Sequence, residues 1–451
     1  MRRKRRIGVV TSSRADYGHL RWPLRDMAQR AELEPRLYVT GAHLSHEFGT
    51  TVREIEGAGQ PVAARVETLL SSDTGAGAAK TLGVAMMGFA DLFARERPDL
   101  VLLIADRYEM LAPAATALTM RIPLAHIEGG EISEGAIDDA VRNALTRLAH
   151  LHFTTTRAAA SRIAAYGEEP WRILWTGSPS LDQLRREPVP DAGEILQSLG
   201  FDRAVSPLLV AYHPVTLAES PLDEPRELLA ALASAGGPVV FCFPNPDPGS
   251  RAIVAEVGAF CASRPDARLI TNLAPMQYFS LLRASAALVG NSSSGIMEAA
   301  SLEVPVVDIG ERQRGRERAG NVVWAPGERT AIIRAIARVT TDDFRRSLAG
   351  LSNPYGDGRA SERIADTLAS VHLDESLLVK RAMRLIVGDD TFRWLAQDEA
   401  AHVCDCDTPN DTETHLSVGS PHERSRAAVR ARGIRVELAV ERGAERGRSR
   451  T

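Results

Sequence analysis

The chain has 451 residues, of which 44% are hydrophobic and 25% charged, and its formal net charge is −4. This composition is that of a globular protein with two or three domains. The near-neutral charge gives no support for a nucleic-acid or membrane-surface partner, and no apolar run reaches the roughly 18 residues of a membrane span. Cys242, Cys261, Cys404 and Cys406 lack metal-ligand spacing and are expected to be free thiols in a reducing cytoplasm, with a strained Cys404–Cys406 disulfide as the alternative.

The first half of the chain alternates short apolar runs with helical patterns, which predicts a doubly wound α/β domain. Predicted helices cover about 19–30, 80–95, 137–149 and a segment ending near 166, and residues 57–80 are predicted to be a mobile loop over the binding crevice. Predicted strands are at 7–10, 37–40, 100–104, 122–127, 151–155 and 173–176. Arg14 follows the first strand near a helix start and is a candidate phosphate or sugar ligand, with a surface-loop role equally favoured.

Two neighbouring strands of this domain end in charged residues. Asp106 and Arg107 follow strand 100–104, and Glu128 and Glu131 follow strand 122–127. Ligands of parallel sheets bind beyond the carboxyl ends of the strands, so we expect these side chains to meet at one crevice.

The helix after this pair of strands adds acids to the same crevice. Asp138 and Asp139 open it, at a position where the helix dipole favours carboxylates. Any one acid is more simply explained as a helix cap or a solvated charge. As a set with Arg107 and His126, the acids indicate proton-transfer chemistry.

A composition change at 183–190 predicts a domain boundary, which divides the chain into domains 1–185 and 186–372. The second domain repeats the α/β pattern, with predicted strands at 207–212, 238–243, 268–270, 286–289 and 304–309. The loop GNSSSG lies between a strand and a helix predicted at 296–302, where amides and Ser292 and Ser293 hydroxyls can bind phosphate. Glu298 is a candidate ribose ligand, with a capping-box role as the alternative. The arginine-rich loop 310–316 suits a diphosphate, with a solvated charged loop as the default alternative.

The chain beyond residue 372 differs in composition. Its first part is compatible with one helix, and the remainder of 373–451 lacks hydrophobic periodicity, which predicts an irregular, disordered tail. We expect this tail to be dispensable for activity.

The stretch from about Arg6 to Leu368 contains a series of short blocks: SSRADYG, GAHLSHEFG, ADRYEML, HIEGGEISEGAIDD, RLAHLHF, GSPSLD, YHPVT, FPNPDPGS, GNSSSGIMEA, ERQRGRERAGNV and NPYGDG. In sequence and in order, these blocks resemble those of the hydrolysing UDP-N-acetylglucosamine 2-epimerases, which supply N-acetylmannosamine for sialic-acid-type sugars. The resemblance implies a glycosyltransferase-B-like fold of two Rossmann-like domains. It also implies elimination of UDP to a 2-acetamidoglucal, followed by hydration that returns a proton to the other face of C2.

The resemblance also assigns roles to residues. It places Asp106, Glu128 and Asp138 at the essential carboxylates, without settling which removes and which returns the proton, and His213 at the diphosphate and leaving group. Ser292 and Ser293 match phosphate ligands and Glu298 the ribose ligand, while residues 271–273 line the uracil. The full set implied to bind substrate is Arg14, Arg107, His213, Asn245, Arg251, Thr271, Asn272, Leu273, Ser292, Ser293, Glu298 and Arg312.

Two positions depart from the family pattern. Ala105 replaces a common glycine, and Gly18 replaces a serine of a relative. The sequence does not distinguish three candidate substrates: UDP-N-acetylglucosamine, UDP-linked diacetamido sugars and GDP-linked sugars. Alternatives for the activity are a non-hydrolysing 2-epimerase, a glycosyltransferase of the same fold and an inactive nucleotide-sugar-binding regulator. We expect no cofactor or metal, a cytoplasmic location, and a homo-oligomer, dimer or tetramer, as in relatives.

Overall fold

The computed structural model describes residues 3–47, 49–70, 72, 74–133, 137–215, 220, 222–242, 250–271, 273–381, 385–388 and 391–394. The first domain contains a parallel sheet of seven strands in the order β3-β2-β1-β4-β5-β6-β7. Its strands are β1 (Arg5–Thr11), β2 (Leu33–Thr40), β3 (Val62–Val66), β4 (Leu100–Ile104), β5 (Leu124–Ile127), β6 (Leu151–Thr154) and β7 (Ile173–Trp175). The strand order reverses direction between β1 and β4, so the chain forms the predicted doubly wound domain.

The second domain contains a parallel sheet of six strands in the order β10-β9-β8-β11-β12-β13. Its strands are β8 (Leu208–Ala211), β9 (Val239–Cys242), β10 (Ala267–Ile270), β11 (Ala287–Gly290), β12 (Val306–Ile309) and β13 (Val322–Ala325). Here the order reverses between β8 and β11. The prediction of two α/β domains with parallel sheets is therefore confirmed.

Helices cover both faces of the two sheets. In the first domain and the connection that follows it they are α1 (Arg14–Gln29), α2 (Val52–Gly57), α3 (Gly75–Glu96), α4 (Leu111–Thr119), α5 (Ile137–Leu148), α6 (Arg157–Ala165), α7 (Ser180–Arg186) and α8 (Gly193–Ser198). Later in the chain they are α9 (Asp223–Ala235), α10 (Ser250–Ser263), α11 (Pro275–Ala284), α12 (Ser293–Met297), α13 (Arg329–Val339), α14 (Asp342–Arg346), α15 (Ala360–Ser370) and α16 (Glu375–Leu378).

The central strands form because both faces of each sheet are covered. All five residues of β4 are buried, which is the environment that selects continuous apolar runs. Helix packing from both sides then leaves the carboxyl ends of the strands as the open edge.

Residues 57–80 are not one loop, so that prediction is wrong. Val62–Val66 forms β3, an edge strand parallel to β2, and α3 begins at Gly75. Only Val66 of this strand is fully buried. Edge strands carry a weaker apolar signal than central ones, which explains why the pattern looked like a loop. Similarly, α1 begins at Arg14, five residues earlier than expected, because Ser13 and Asp16 form a capping box.

The end of the second domain also needs correction. Helix α15 falls within the predicted range 186–372, but Ile364, Ala365 and Leu368 join the hydrophobic core of the first domain. Asp182 of α7 accepts hydrogen bonds from the backbone N–H groups of Ala360 (3.1 Å) and Ser361 (3.2 Å) at the start of α15. The helix therefore returns to the first domain, whereas the predicted boundary near 185 stays a prediction.

The predicted irregular tail does not begin at residue 373. Residues 373–381 contain α16, and Leu377 is completely buried in the same core. The guanidinium of buried Arg172 donates to the carbonyl oxygens of Ser376, Leu377 and Val379 at 2.8–2.9 Å. These contacts fix the segment to the first domain.

The interpretation of 377–397 as one helix is also wrong. Leu385–Gly388 (β14) and Thr391–Trp394 (β15) pair as antiparallel strands, in keeping with their β-branched and aromatic residues. Residues 401–451, including Cys404 and Cys406, lie outside the described residues. None of the described helices combines the length and apolar character needed to cross a bilayer.

Candidate active site

The crevice of the first domain opens where the sheet order reverses, between β1 and β4. The Asp16 carboxylate accepts hydrogen bonds from the N–H groups of Ser12 (2.9 Å) and Ser13 (3.0 Å) and so holds the β1–α1 turn. This turn places Arg14 in the first turn of α1. Its guanidinium is half exposed and lies 3.8 Å from the carboxylate of Glu54.

Asp106 follows β4 at the same edge of the sheet. Ala105, immediately before it, has a φ of +60°, and its carbonyl oxygen accepts a hydrogen bond from His126 Nε2 at 2.8 Å. The Asp106 carboxylate pairs with buried Arg142 of α5. Arg142 also donates to the Ser133 hydroxyl at 3.1 Å. The left-handed residue and the buried arginine together orient this carboxylate at the crevice.

Glu128 follows β5, next to β4, as the sequence predicts. It is buried, has a φ of +67°, and accepts hydrogen bonds at Oε1 from His19 Nδ1 (2.7 Å) and the Ser178 hydroxyl (3.2 Å). Burial by itself would raise the pKa of Glu128, but His19, Arg142 and Arg316 outweigh it and lower the pKa to about 2. The same pairing outweighs the effect of burial on His19 and raises its pKa to about 9.

The other charged candidates of the first domain lie close in sequence to these acids. Asp138 is the second residue of α5 and is partly buried. Arg107 is also partly buried, and its Nη2 lies 3.3 Å from Glu109 Oε1. Glu131 is buried and accepts a hydrogen bond from the Thr155 hydroxyl.

The second domain contributes to the site the loops that follow β8 and β11, where the strand order of its sheet reverses. Asn291 accepts a hydrogen bond from the His213 N–H at 2.7 Å and donates to the His213 carbonyl at 2.8 Å. Gly290 has a φ of +142°, and a Cβ there would lie 2.1 Å from the Ala211 carbonyl oxygen, so only glycine fits. Burial, aided by Arg312, lowers the pKa of His213 to about 3. The imidazole is therefore neutral at pH 7.

The serine loop begins directly after this pair. Ser292 caps α12, because its side chain accepts a hydrogen bond from the Ser294 N–H, and Ser293 is the first residue of that helix. Glu298 follows α12 and is buried. Burial raises the pKa of Glu298, although nearby His19 and a hydrogen bond with Ser180 act in the opposite direction. Glu298 therefore lies near the His19–Glu128 pair of the first domain.

The arginine-rich loop also reaches the first domain. Arg312 Nη1 donates to the Asn291 carbonyl oxygen at 3.1 Å, on the second-domain side. Arg316, farther along the loop, donates to the Ile132 carbonyl oxygen (2.8 Å) and the Ser133 hydroxyl (3.2 Å) of the first domain. Because Ser133 also binds Arg142, one chain of hydrogen bonds connects the second-domain loop with Asp106.

The remaining predicted substrate ligands lie toward the outer strands of the second sheet. Thr271 follows β10 and is exposed, while Leu273 is partly buried against the second-domain core. Arg251 is almost fully exposed, and its guanidinium lies 3.7 Å from the carboxylate of Glu47 in the first domain. Asn245 and Asn272 lie outside the described residues.

Four residues that the sequence analysis did not select take part in the site: His19, Arg142, Ser178 and Asn291. Arg316 belongs to the arginine-rich loop predicted for a diphosphate, but its contact with the first domain was not predicted. Each of these residues lies inside or within three residues of one of the family-like blocks, but the resemblance assigned it no role. Among them, Arg142 had a usable signal, because it lies one helical turn after Asp138 on the face of α5 that carries buried Val141 and Leu145. The others contact partners that are distant in sequence.

The arrangement combines two chemical functions. Carboxylates in different surroundings at the end of the first sheet, of which Glu128 has a pKa lowered to about 2, are suited to proton transfer. A neutral histidine, serine hydroxyls and arginines at the end of the second sheet are suited to binding an anionic leaving group such as a diphosphate.

The sequence matches the family model for UDP-N-acetylglucosamine 2-epimerase over residues 25–369. A hydrolysing UDP-N,N'-diacetylbacillosamine 2-epimerase of Legionella pneumophila is 34% identical over 377 residues, which cover 83% of this chain and 98% of that protein. A hydrolysing GDP/UDP-N,N'-diacetylbacillosamine 2-epimerase of Campylobacter jejuni is 32% identical, with coverages of 83% and 98%.

Solved structures agree on the fold. A UDP co-structure of MnaA from S. aureus has a TM-score of 0.68 at 18% identity and covers 81% of this chain and 96% of that chain. A UDP-GlcNAc 2-epimerase of Methanocaldococcus jannaschii, in complex with UDP-GlcNAc and UDP, has a TM-score of 0.68 at 17% identity, with coverages of 80% and 99%.

Proposed function

This chain belongs to the UDP-N-acetylglucosamine 2-epimerase family, and on that premise we propose that it is a hydrolysing 2-epimerase of a nucleotide-linked N-acetylated sugar. In this reaction a base removes the proton from C2 while the C1–O bond to the nucleotide breaks, which gives a 2-acetamidoglucal and the free nucleotide. Water then adds its oxygen at C1, and a proton returns to C2 on the opposite face. The products are an N-acetylmannosamine-type sugar and UDP, or GDP.

The observation that carries this proposal is the grouping of acids at the first-domain crevice. Asp106 and Glu128 end adjacent strands, and Arg142 pairs with the first and helps to lower the pKa of the second. Asp138 opens the helix that carries Arg142. Elimination and hydration need proton transfer on two faces of the sugar, and a set of acids with different surroundings supplies such groups.

The loops of the second domain suit the nucleotide. We assign the diphosphate to His213, Ser292, Ser293 and Arg312, and the ribose to Glu298. A diphosphate next to His213 would raise the low pKa of the imidazole, so that the side chain gains a proton that it can give to the departing phosphate. The remaining nucleotide-sugar ligands proposed from the family resemblance are Arg14, Arg107, Asn245, Arg251, Thr271, Asn272 and Leu273.

The names of the relatives indicate which nucleotide sugar to test first. The two described above are named for diacetylbacillosamine nucleotides, so we propose UDP-N,N'-diacetylbacillosamine as the first substrate to test and UDP-N-acetylglucosamine as the second. We further propose a role in the synthesis of sialic-acid-type sugars, a cytoplasmic location and a homo-oligomer, either dimer or tetramer. The reaction involves no redox step and needs no organic cofactor.

Proton NMR of the purified protein in heavy water tests this proposal. We expect consumption of the nucleotide sugar, release of free nucleotide, and a 2-epimeric free sugar with deuterium at C2. Asp106→Asn should lose turnover, whereas Asp91→Asn, on the exposed face of α3, should keep it.

Three outcomes of this experiment would contradict the proposal. An epimeric sugar still attached to the nucleotide would indicate a non-hydrolysing epimerase. Transfer of the sugar to an added acceptor would indicate a glycosyltransferase. If UDP-diacetylbacillosamine, UDP-N-acetylglucosamine and GDP-N-acetylglucosamine all stayed intact with folded protein, the epimerase assignment would be wrong.

A further inference from the structure

His19 lies in α1, far in sequence from the acids, yet it makes a direct contact with one of them. Its Nδ1 is 2.7 Å from Glu128 Oε1, and both side chains are largely shielded from solvent, with 27% and 10% exposure. Since α1 is anchored by the capping box at Ser13 and Asp16, the imidazole is presented from a rigid element.

Glu128 needs such a partner because its own backbone does not fix its carboxylate. The residue has left the strand and adopts a φ of +67°, a conformation that non-glycine residues rarely hold without support. His19 Nδ1 and the Ser178 hydroxyl both bind the same oxygen, Oε1. A carboxylate fixed through one oxygen can use the other for proton transfer while its plane stays constant.

The charges around this contact come from five elements of both domains. Glu128 faces His19, Arg142 of α5 and Arg316 of the arginine-rich loop. His19 in turn faces Glu128, Glu298 after α12 and Asp16 of α1. The acids raise the pKa of the imidazole, so at neutral pH the pair carries its proton on His19 and leaves Glu128 ionised.

We propose that His19 is a positioning residue for the 2-epimerisation, which holds the Glu128 carboxylate in the orientation for proton transfer at C2. This inference rests on the proposed function. It predicts that loss of the Nδ1–H donor impairs the chemical step rather than substrate binding. A side chain that restores a donor at the same position should restore the step.

Two variants separate the donor from the ring. His19→Leu removes the donor, whereas His19→Asn keeps an N–H donor at the position of Nδ1 and cannot titrate. We expect kcat of His19→Leu to fall about 100-fold, the scale on which misplacement of a catalytic group acts, with KM changed by less than about threefold. His19→Asn should recover kcat to within about fivefold of the unchanged protein. His372→Leu, an exposed and remote histidine, is the matched control.

The pH dependence supplies a second readout. Loss of one proton from His19 near pH 9 leaves a neutral imidazole that keeps the Nδ1–H bond to Glu128, so kcat/KM of the unchanged protein should fall there by no more than about fivefold, and His19→Asn should lack this step. The pairing can also be measured without turnover, by NMR titration of isotopically labelled histidine, with the His19 signal assigned from its absence in His19→Asn. In Glu128→Gln, the pKa of His19 should fall well below its value in the unchanged protein.

The outcomes are distinguishable. Full kcat in folded His19→Leu, or equal impairment of His19→Leu and His19→Asn, would overturn the positioning role while leaving the epimerase assignment intact. A His19 pKa that is the same in Glu128→Gln would overturn the pairing itself. If the unchanged protein consumed no nucleotide sugar while His19 still titrated with Glu128, the proposed function would fail, and the role of His19 in it with it.

Discussion

Replacing Leu377 with alanine tests whether the chain beyond residue 372 belongs to the folded core. Leu377 is completely buried among residues that include Ile364 and Leu368 of α15. Truncating a buried leucine removes apolar burial and leaves a cavity, at a cost of about 2–5 kcal/mol. We expect a loss of about 3 kcal/mol in the free energy of unfolding, because α16 is short and its surroundings can relax in part.

Val379→Ala is the matched control, two residues farther along the same segment. Val379 is 55% exposed, so its truncation should change stability by no more than about 0.5 kcal/mol. Urea unfolding followed by tryptophan fluorescence is a suitable assay, since Trp171 packs against the same core cluster. Equal unfolding midpoints for the two variants would refute the argument.

Two truncated chains extend the same test. A chain that ends at His372 loses Leu377 and the carbonyl groups that accept hydrogen bonds from buried Arg172. It also loses Lys380, whose Nζ lies 2.7 Å from buried Glu168. We expect this chain to fail to fold cooperatively, whereas a chain that ends at Arg381 keeps all these contacts and should fold. Equal stability of the two truncated chains would show that residues 373–381 do not contribute to folding.

Three further predictions concern stability and the crevice. Ala105→Gly should raise the free energy of unfolding by about 1 kcal/mol, because Ala105 holds a φ of +60° that glycine adopts without strain; thermal unfolding at a lower temperature than the unchanged protein would contradict this. Arg316→Met should lower kcat/KM about 100-fold by detaching the loop from the acids, while Arg314→Met, at an exposed position of the same loop, should have little effect. Stability should be highest between about pH 6.5 and 7, as measured by urea midpoints across pH. Below that range, histidines of the unfolded chain bind protons, whereas three buried histidines of the folded chain, with pKa values lowered by burial to about 4, stay neutral; the folded state is therefore destabilised. Above that range, the stabilisation from protonated His19 is lost as the pH rises toward about 9. Those buried histidines are His43, His126 and His150. A flat profile would contradict the assigned protonation states.

The sequence was most informative where strands are covered on both faces. The apolar runs that form β4 and β5 are buried, and the two strands are adjacent in the sheet. Because parallel strands end at the same edge of a sheet, the sequence predicted that Asp106 and Glu128 lie on that edge. Edge strand β3 was missed because burial on the sheet edge is partial. The partner of α15 could not be predicted either, since an amphipathic pattern shows which face is buried but not against what.

The missed site residues share a physical reason. His19 contacts a carboxylate 109 positions later, and Arg316 contacts a carbonyl group 184 positions earlier. The arginine-rich loop was recognised, but neither contact could be predicted, because both are made by the tertiary arrangement of elements and not by periodicity within one element. The segment 373–381 was missed for the same reason, since a single buried leucine carries no periodic signal.

The charges at the crevice belong to both domains, and this has a consequence for the chemistry. Glu128 is kept ionised by His19 and Arg142 of the first domain and by Arg316 of the second. Burial alone would raise its pKa, so part of its ionisation depends on the loop of the second domain being in place. The domain to which we assign the nucleotide therefore also helps to set the protonation of an acid in the other domain. Under the proposed function, binding of the leaving group and readiness for proton transfer are connected through Arg316 and Ser133. Ser133 also contacts Arg142, which pairs with Asp106.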